Sequence, residues 1–341
     1  MPSLSAFLVL LLSIVGSVLP TIIYVLVVWR IDRYEKEPVQ LLTVAFLWGA
    51  LPAIAVSAII EIATDAPVVV MSQGHHELVS SSFIAPPVEE LVKGLALLGL
   101  LWLARRELDD VLDGIIYASI IGFGFAMTEN VFYLFGAWQE KGLRGWSIVV
   151  LIRAIAFGFS HATFTSFTGI GVGLARYEKS ALRRWLLILG GLSAATVAHS
   201  LHNFFLSVPN LCLLTIFVDW AGVSVVFVVI LLAWRRERAW IETHLAEEVS
   251  LGVLSQLQFQ VIASRRKRLK RQWQLLGVSG LSQLRQWRKL VSAATELAFK
   301  KHQLDKMGDE RRNVAAVEAL RARIVRLRQG LGNDMVADAA S

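Results

Sequence analysis

Apolar residues gather along the first two thirds of the chain into runs of about 20 or more. A helix rising about 1.5 Å per residue needs that length to cross a bilayer. Seven such runs, at about 4–29, 41–63, 81–104, 112–136, 148–175, 185–207 and 211–234, predict seven transmembrane helices, separated by short charged or Pro/Gly-containing stretches. The first run reaches Trp29 before any basic residue, unlike the charged start of a cleaved secretory signal, and is read as a retained span. After Trp234 the pattern changes. ERAWIETHLAEEVSLGVLSQ reads as an amphipathic helix leaving the membrane. LRQWRKLVSAATELAFKKH and VEALRARIVRLRQ carry apolar residues at helical spacing, as in a small helical bundle, and the closing GNDMVADAAS reads as frayed. The predicted fold is all-α: a polytopic membrane bundle of about seven transmembrane helices over residues 1–235, followed by a cytoplasmic, basic helical tail over 236–341.

Composition agrees with a membrane body. Of 341 residues, 55% are hydrophobic and 18% charged, against about 25% charged in soluble domains. The single cysteine, Cys212, excludes an internal disulfide and any cysteine-based zinc cluster. From Arg235 onward there are 21 Lys+Arg against 11 Asp+Glu, a net of +10, so the body carries a net of −3. Within the body, basic residues favour alternate loops. Arg30, Arg33, Lys36, Arg105, Arg106, Arg176, Lys179, Arg183 and Arg184 lie on one side, and only Lys141 and Arg144 on the other. The positive-inside rule then puts the amino terminus outside and the tail in the cytoplasm. The dense run SRRKRLKRQW at 264–273 is expected to rest on anionic lipid headgroups of that face rather than on nucleic acid.

With this orientation, polar residues fall at membrane depth on four spans. By the helical rise, Glu89 lies about 12 Å below the outer end of its helix, Glu129 about 10 Å, His161 about 20 Å, His199 about 12 Å and Asn203 about 6 Å. Charged groups in hydrocarbon cost about 2.5 kcal/mol or more each, so such a set marks function sooner than accident. Glu89 and Lys93 stand at i,i+4 and share a face, as do His199 and Asn203, and Phe125 and Glu129. The plainer alternative is a neutralising Glu–Lys pair with the histidines as interhelical glue. A polar cavity reached from outside accounts for more of these residues.

Several chemistries suit the set. A glutamate can deprotonate water while an imidazole or amide stabilises the oxyanion, which suffices to hydrolyse an amide without a covalent intermediate. Glu89, Glu129, His161 and His199 could instead hold a divalent metal such as zinc. No HExxH helix signals it, since HHELVS at 75–80 has Ser80 where the second histidine would be needed. Ser160 beside His161 suggests a rhomboid-like serine protease, which would leave Glu89, Glu90, Lys93 and Glu129 unexplained. An ion- or proton-coupled transporter would also use buried acids. A non-catalytic scaffold acting through its tail is the remaining rival.

EELVK (Glu89, Glu90, Lys93), FAMTEN (Phe125 to Asn130), the His161-Ala162 pair and HSLHN (His199 to Asn203) together resemble the PrsW family of intramembrane proteases. DRYEKEP at 32–38 and DGIIYASIIGFGFA at 113–126 extend the likeness to about residues 30–250. The family is related to the CAAX prenyl endopeptidase and bacteriocin-processing group, whose motifs are a Glu-Glu pair, an FxxxH, and a final His with Asn four residues on. The resemblance implies that Glu89 or Glu90 activates water, and that His199 and Asn203 bind water or the oxyanion. Glu129 stands where that wider group has the FxxxH histidine, and His161 would supply the missing imidazole. Lys93 and Asn130 would be supporting residues. The implied substrate is a membrane-anchored protein, such as an anti-sigma factor, in the cytoplasmic membrane of a prokaryote. The implied mechanism is metallo- or glutamate-dependent.

Overall fold

The computed structural model describes residues 5–34, 36–71, 75–104, 107–278, 280–309 and 312–331. Arg105, Arg106 and the closing ten residues lie outside them. Every regular element among the described residues is helical. The helices are α1 (Ala6–Trp29), α2 (Val39–Trp48), α3 (Ile54–Met71), α4 (His76–Val79), α5 (Ala85–Leu103), α6 (Val111–Val149), α7 (Ser160–Ala175), α8 (Ala181–Ser207), α9 (Leu214–Ser250), α10 (Gln256–Ala263), α11 (Arg265–Val278), α12 (Gly280–Met307) and α13 (Asn313–Leu331). The chain divides into two compact units, residues 1–32 with 36–230, and residues 33–35 with 231–341.

Five helical stretches in the described residues are long and apolar enough to cross a membrane, not the expected seven. The difference has two causes. Val111–Ala175 counts as one stretch but holds two predicted spans. The helix breaks at Gly142 (φ 59°), and beyond the break Arg153 returns to Glu129 and Asn130. The run at 81–104 is not among the five because Glu89, Glu90 and Lys93 make it too polar.

In the first unit α6 is the axis, buried on every side from Val111 to Ala126 and packed by α1, α2 and α7. Its start is fixed by a capping box. Asp113 N donates to Asp110 Oδ1 at 3.1 Å and Asp110 N donates to Asp113 Oδ2 at 2.9 Å, satisfying amide groups that the first turn leaves open. The outer helices present large apolar side chains outward: Phe7, Leu19 and Ile23 on α1, Leu182 and Leu186 on α8, Phe217 on α9. Lipid is the solvent that such faces match.

Hydrocarbon offers no hydrophobic drive between helices, so they associate through close packing of small residues. A Cβ on Gly114 would strike the carbonyl of Gly169, and one on Gly169 the carbonyl of Gly114, so α6 and α7 meet backbone to backbone there. Gly114→Leu is expected to lower the melting temperature of the purified protein sharply. Gly99→Leu, where nothing lies within 4 Å of the added Cβ, is expected to leave it unchanged.

Among the described residues, three wide π-helical turns interrupt the first unit, at Gly49–Ala53, Ser80–Ile84 and Val150–Ala156. Such turns put carbonyls out of register, and inside a membrane each must find a donor. Thr128 donates to the Ala50 carbonyl at 2.8 Å, Asn203 to that of Ser81 at 2.8 Å, and Tyr24 to that of Ala154 at 3.1 Å. Each turn is thus held by a side chain from another helix.

The second unit has its own core, built around Ile241, Leu245, Ile262, Leu290, Leu297 and Ile324. Buried Glu248 accepts from Lys301 at 2.7 Å and from Arg321 Nη2 and Nε at 2.8 and 2.9 Å. His302 stacks on Trp240 at 3.9 Å. Burial, with His244 and Lys306 beside it, pushes His302 from its ordinary 6.5 down to about 4. The unfolded chain therefore takes up the proton first, and His302's contribution is lost as pH falls through 6.5 toward 4. Limited proteolysis of the tail is expected to accelerate over that window, and His302→Gln to flatten the response.

Candidate active site

Four elements bring the polar residues of the first unit together. Pro86 and Pro87 in the first turn of α5 give up no needed amide donor, and one turn later the helix presents Glu89, Glu90 and Lys93 on its buried side. Lys93 Nζ lies 2.8 Å from Glu90 Oε1, 3.1 Å from Glu89 Oε2 and 3.2 Å from His161 Nδ1, over the ring of Phe125 at 3.7 Å. The lysine therefore serves both carboxylates, where the i,i+4 spacing suggested one. Glu90 is fully buried, and its oxygens take three contacts: Lys93, His199 Nδ1 at 3.1 Å on Oε1, and Thr165 Oγ1 at 2.9 Å on Oε2. Glu89 is slightly exposed, and among the described residues its Oε1 receives no hydrogen bond.

The two imidazoles are each held by a carboxylate on one nitrogen. His199 Nδ1 faces Glu90, and His161 Nε2 lies 2.8 Å from Glu129 Oε2. Their other nitrogens, His199 Nε2 and His161 Nδ1, both stand 4.0 Å from Glu89 Oε2. The rings meet edge to face at 4.9 Å, and Phe164 stacks on His199 at 5.0 Å. Glu129 is fixed in turn by Arg153 Nη2 at 2.6 Å, and Arg153 Nε donates to Asn130 Oδ1 at 2.9 Å.

Charge and donor chemistry fit a bound divalent cation. Glu89, Glu90, His161 and His199 each offer a ligand atom, all within 4.8 Å of one another. Two carboxylates and two imidazoles suit zinc. Glu89, Glu90 and Glu129, with Glu61 in electrostatic reach, face two permanent cations, Lys93 and Arg153.

The structure revises several expectations. Glu129 is not one of the four clustered donors; Glu90 takes that place, and Glu129 orients His161. Asn130 supports Arg153. Asn203 is drawn off to the Ser81 carbonyl on the wide turn just before α5, so it steadies the segment leading to Glu89 and, among the described residues, hydrogen-bonds to none of the clustered side chains. The polar groups close on each other where an open cavity was expected, with Glu90 and Lys93 both 0% exposed. A groove of about 490 Å³ is lined by Tyr133, Lys141 and Gly145, and the Arg153 guanidinium lies over the Tyr133 ring at 3.7 Å.

Arg153 and Thr165 were missed from sequence, although both left signals. Arg153 is a charge inside a predicted span, the feature that singled out Glu89. Thr165 follows His161 by four residues and shares its face.

Among the described residues Ser160 has no imidazole partner. Its hydroxyl donates to Asp219, whose other oxygen lies 2.8 Å from His202 Nδ1, so a carboxylate stands where a serine nucleophile needs an imidazole. Ser160→Ala is expected to cleave substrate within a few-fold of the wild-type rate, measured on the reconstituted protein.

The sequence that carries this arrangement is similar to those of known proteins. PrsW family intramembrane metalloproteases match over residues 37–234, a segment that spans α2 to the membrane part of α9 and contains every residue of the cluster. The chain belongs to the PrsW family. Protease PrsW of Clostridioides difficile is 27% identical over 220 residues, 64% of this chain and 85% of that protein. Protease PrsW of Bacillus subtilis is 25% identical over 177 residues, 52% of this chain and 74% of that protein. No solved structure matches the chain. As a PrsW-family member the protein is an integral membrane peptidase acting on membrane substrates, and the family description as metalloproteases agrees with the four clustered donors. Both findings weigh against the transporter and scaffold readings.

Proposed function

We propose that the Glu89 carboxylate, with His161 and His199, forms the hydrolytic centre, and that Glu90, Glu129 and Arg153 hold it in place. The observation that carries this is the convergence of His161 Nδ1 and His199 Nε2 on Glu89 Oε2, while their opposite nitrogens face Glu129 and Glu90. A carboxylate behind an imidazole fixes its tautomer and turns the far nitrogen's lone pair toward the cluster; His161 Nδ1 meets Lys93 Nζ at 3.2 Å, a contact that a bound ion would displace. Glu89, His161 and His199 would hold the metal, which when bound lowers the pKa of water and polarises the scissile carbonyl. Glu89 Oε1 accepts the proton of the attacking water, having no donor of its own among the described residues. Lys93 keeps the neighbouring carboxylates from repelling each other. Phe125 and Phe164 keep bulk water from the imidazoles.

The substrate is a single-pass membrane-anchored protein, such as an anti-sigma factor, cut near the outer face of a prokaryotic cytoplasmic membrane. The loop charges support an external amino terminus and a cytoplasmic tail resting on anionic lipid. The test is to reconstitute purified protein with a labelled single-pass substrate and to map products by mass spectrometry. Cleavage by wild type and by Ser160→Ala, absent in Glu89→Gln and His199→Ala, is the expected result. Wild-type cleavage by the Glu89 and His199 variants would overturn the assignment.

A further inference from the structure

Helix α11, RRKRLKRQWQLLGV, faces the wrong way for a soluble bundle. Its buried side carries Arg268, Arg271 and Leu275, at i, i+3 and i+7, with the Arg268 guanidinium 4.4 Å from the Tyr34 ring. Its open side carries Leu269, Trp273 and Leu276, at i, i+4 and i+7, which are 46%, 72% and 42% exposed. A helix so poor in large apolar residues could have buried all of them. Instead it buries two arginines and turns a tryptophan and two leucines outward. Around that stripe, Arg265, Arg266, Lys267 and Lys270 are exposed, and no acidic residue occurs in the helix. Leu281, at the start of α12, adds a further exposed apolar side chain.

We propose that this face of α11 docks on the bilayer, its cations on anionic phospholipid headgroups and Leu269, Trp273 and Leu276 among the upper acyl-chain carbons. Three observations choose lipid over other partners. The charge is uniformly positive, complementary to an anionic leaflet. The central stripe is apolar and contains a tryptophan, the residue that prefers the headgroup boundary, whereas a nucleic-acid backbone asks for cations alone. The same chain spans the membrane, so the bilayer is present at high effective concentration. The inference rests on the cytoplasmic reading of the tail and assigns that contact to particular residues.

The full chain tests it, in a Cys212→Ser background that removes the sole cysteine. Leu276→Cys carries an environment-sensitive fluorophore, and the protein is placed in nanodiscs of phosphatidylcholine with or without phosphatidylglycerol. Docking predicts blue-shifted emission and several-fold stronger quenching by brominated acyl chains in the phosphatidylglycerol discs. High salt, or Arg266→Gln with Lys267→Gln and Lys270→Gln, should return quenching to the phosphatidylcholine level. A label at Val314→Cys on α13 checks that the tail stays folded in these variants. Absence of quenching in both lipids overturns the proposal. So does a label that responds only to added single-stranded RNA, which would assign the face to nucleic acid. Substrate cleavage in the same discs reads the protease assignment separately, so that either idea can fail alone.

Discussion

Glu89→Gln is expected to reduce substrate cleavage by about 10²–10⁴-fold, the range for removing a general base, while the protein unfolds at nearly the wild-type temperature. The fold survives because Glu89 receives one hydrogen bond among the described residues, from Lys93, which a glutamine oxygen can accept while Lys93 keeps its pairing with Glu90. Glu90→Gln should behave differently. It also lowers activity, by about 10–100-fold through the loosened His199, but it further removes a buried charge that Lys93, His199 and Thr165 all contact. Breaking a buried ion pair from one side costs about 3–5 kcal/mol, so a clear drop in melting temperature is expected. Rates on the reconstituted substrate, set beside thermal unfolding in detergent, separate the two. Equal loss of stability in both variants would count against the division of roles between adjacent glutamates.

The second large effect concerns the metal. Prolonged dialysis against a strong chelator is expected to abolish cleavage, and zinc, added back, to restore it. His161→Ala and His199→Ala should each lose a ligand and retain little metal, measured as metal per protein by elemental analysis. Glu129→Gln should retain the ion more weakly, by about 10–100-fold, because it removes only the carboxylate that orients His161. If Glu129→Gln loses metal as fully as His161→Ala, Glu129 is a ligand after all. An enzyme active at full rate with no metal after dialysis would point to glutamate-only hydrolysis.

Much of the site was legible because the membrane penalises stray polarity. Glu89, Glu90, Lys93, Glu129, His161 and His199 stood out by depth alone, since a charged or imidazole group in an apolar run carries a cost that only partners or function offset. The same rule would have found Arg153 inside the fifth run and Asp219 inside the last. The i,i+4 spacing placed Glu89 beside Lys93, a local relation that the helix itself guarantees. Other details had no local signal. Asn203 follows His199 by one turn and shares its face, yet it ends on the Ser81 carbonyl because a wide turn there leaves an acceptor that hydrocarbon cannot satisfy. Ser160 is adjacent in sequence to His161, yet its partner is Asp219 on another helix.

By itself, the sequence determined a helical membrane protein, its family, the tail's basic character and the identities of the central acids and imidazoles. Hydropathy runs, charge placement and helical spacing are one-dimensional quantities, and they suffice for all of these but the family, which the resemblance of the motifs supplied. Only the tertiary structure decided which glutamate is saturated and which keeps an open oxygen, that Glu129 backs His161, and that the helix breaks at Gly142. Those outcomes depend on how far each helix is rotated and where two helices cross. Contacts such as Gly114 with Gly169 set those relations across more than 50 residues of sequence, where no periodicity reaches.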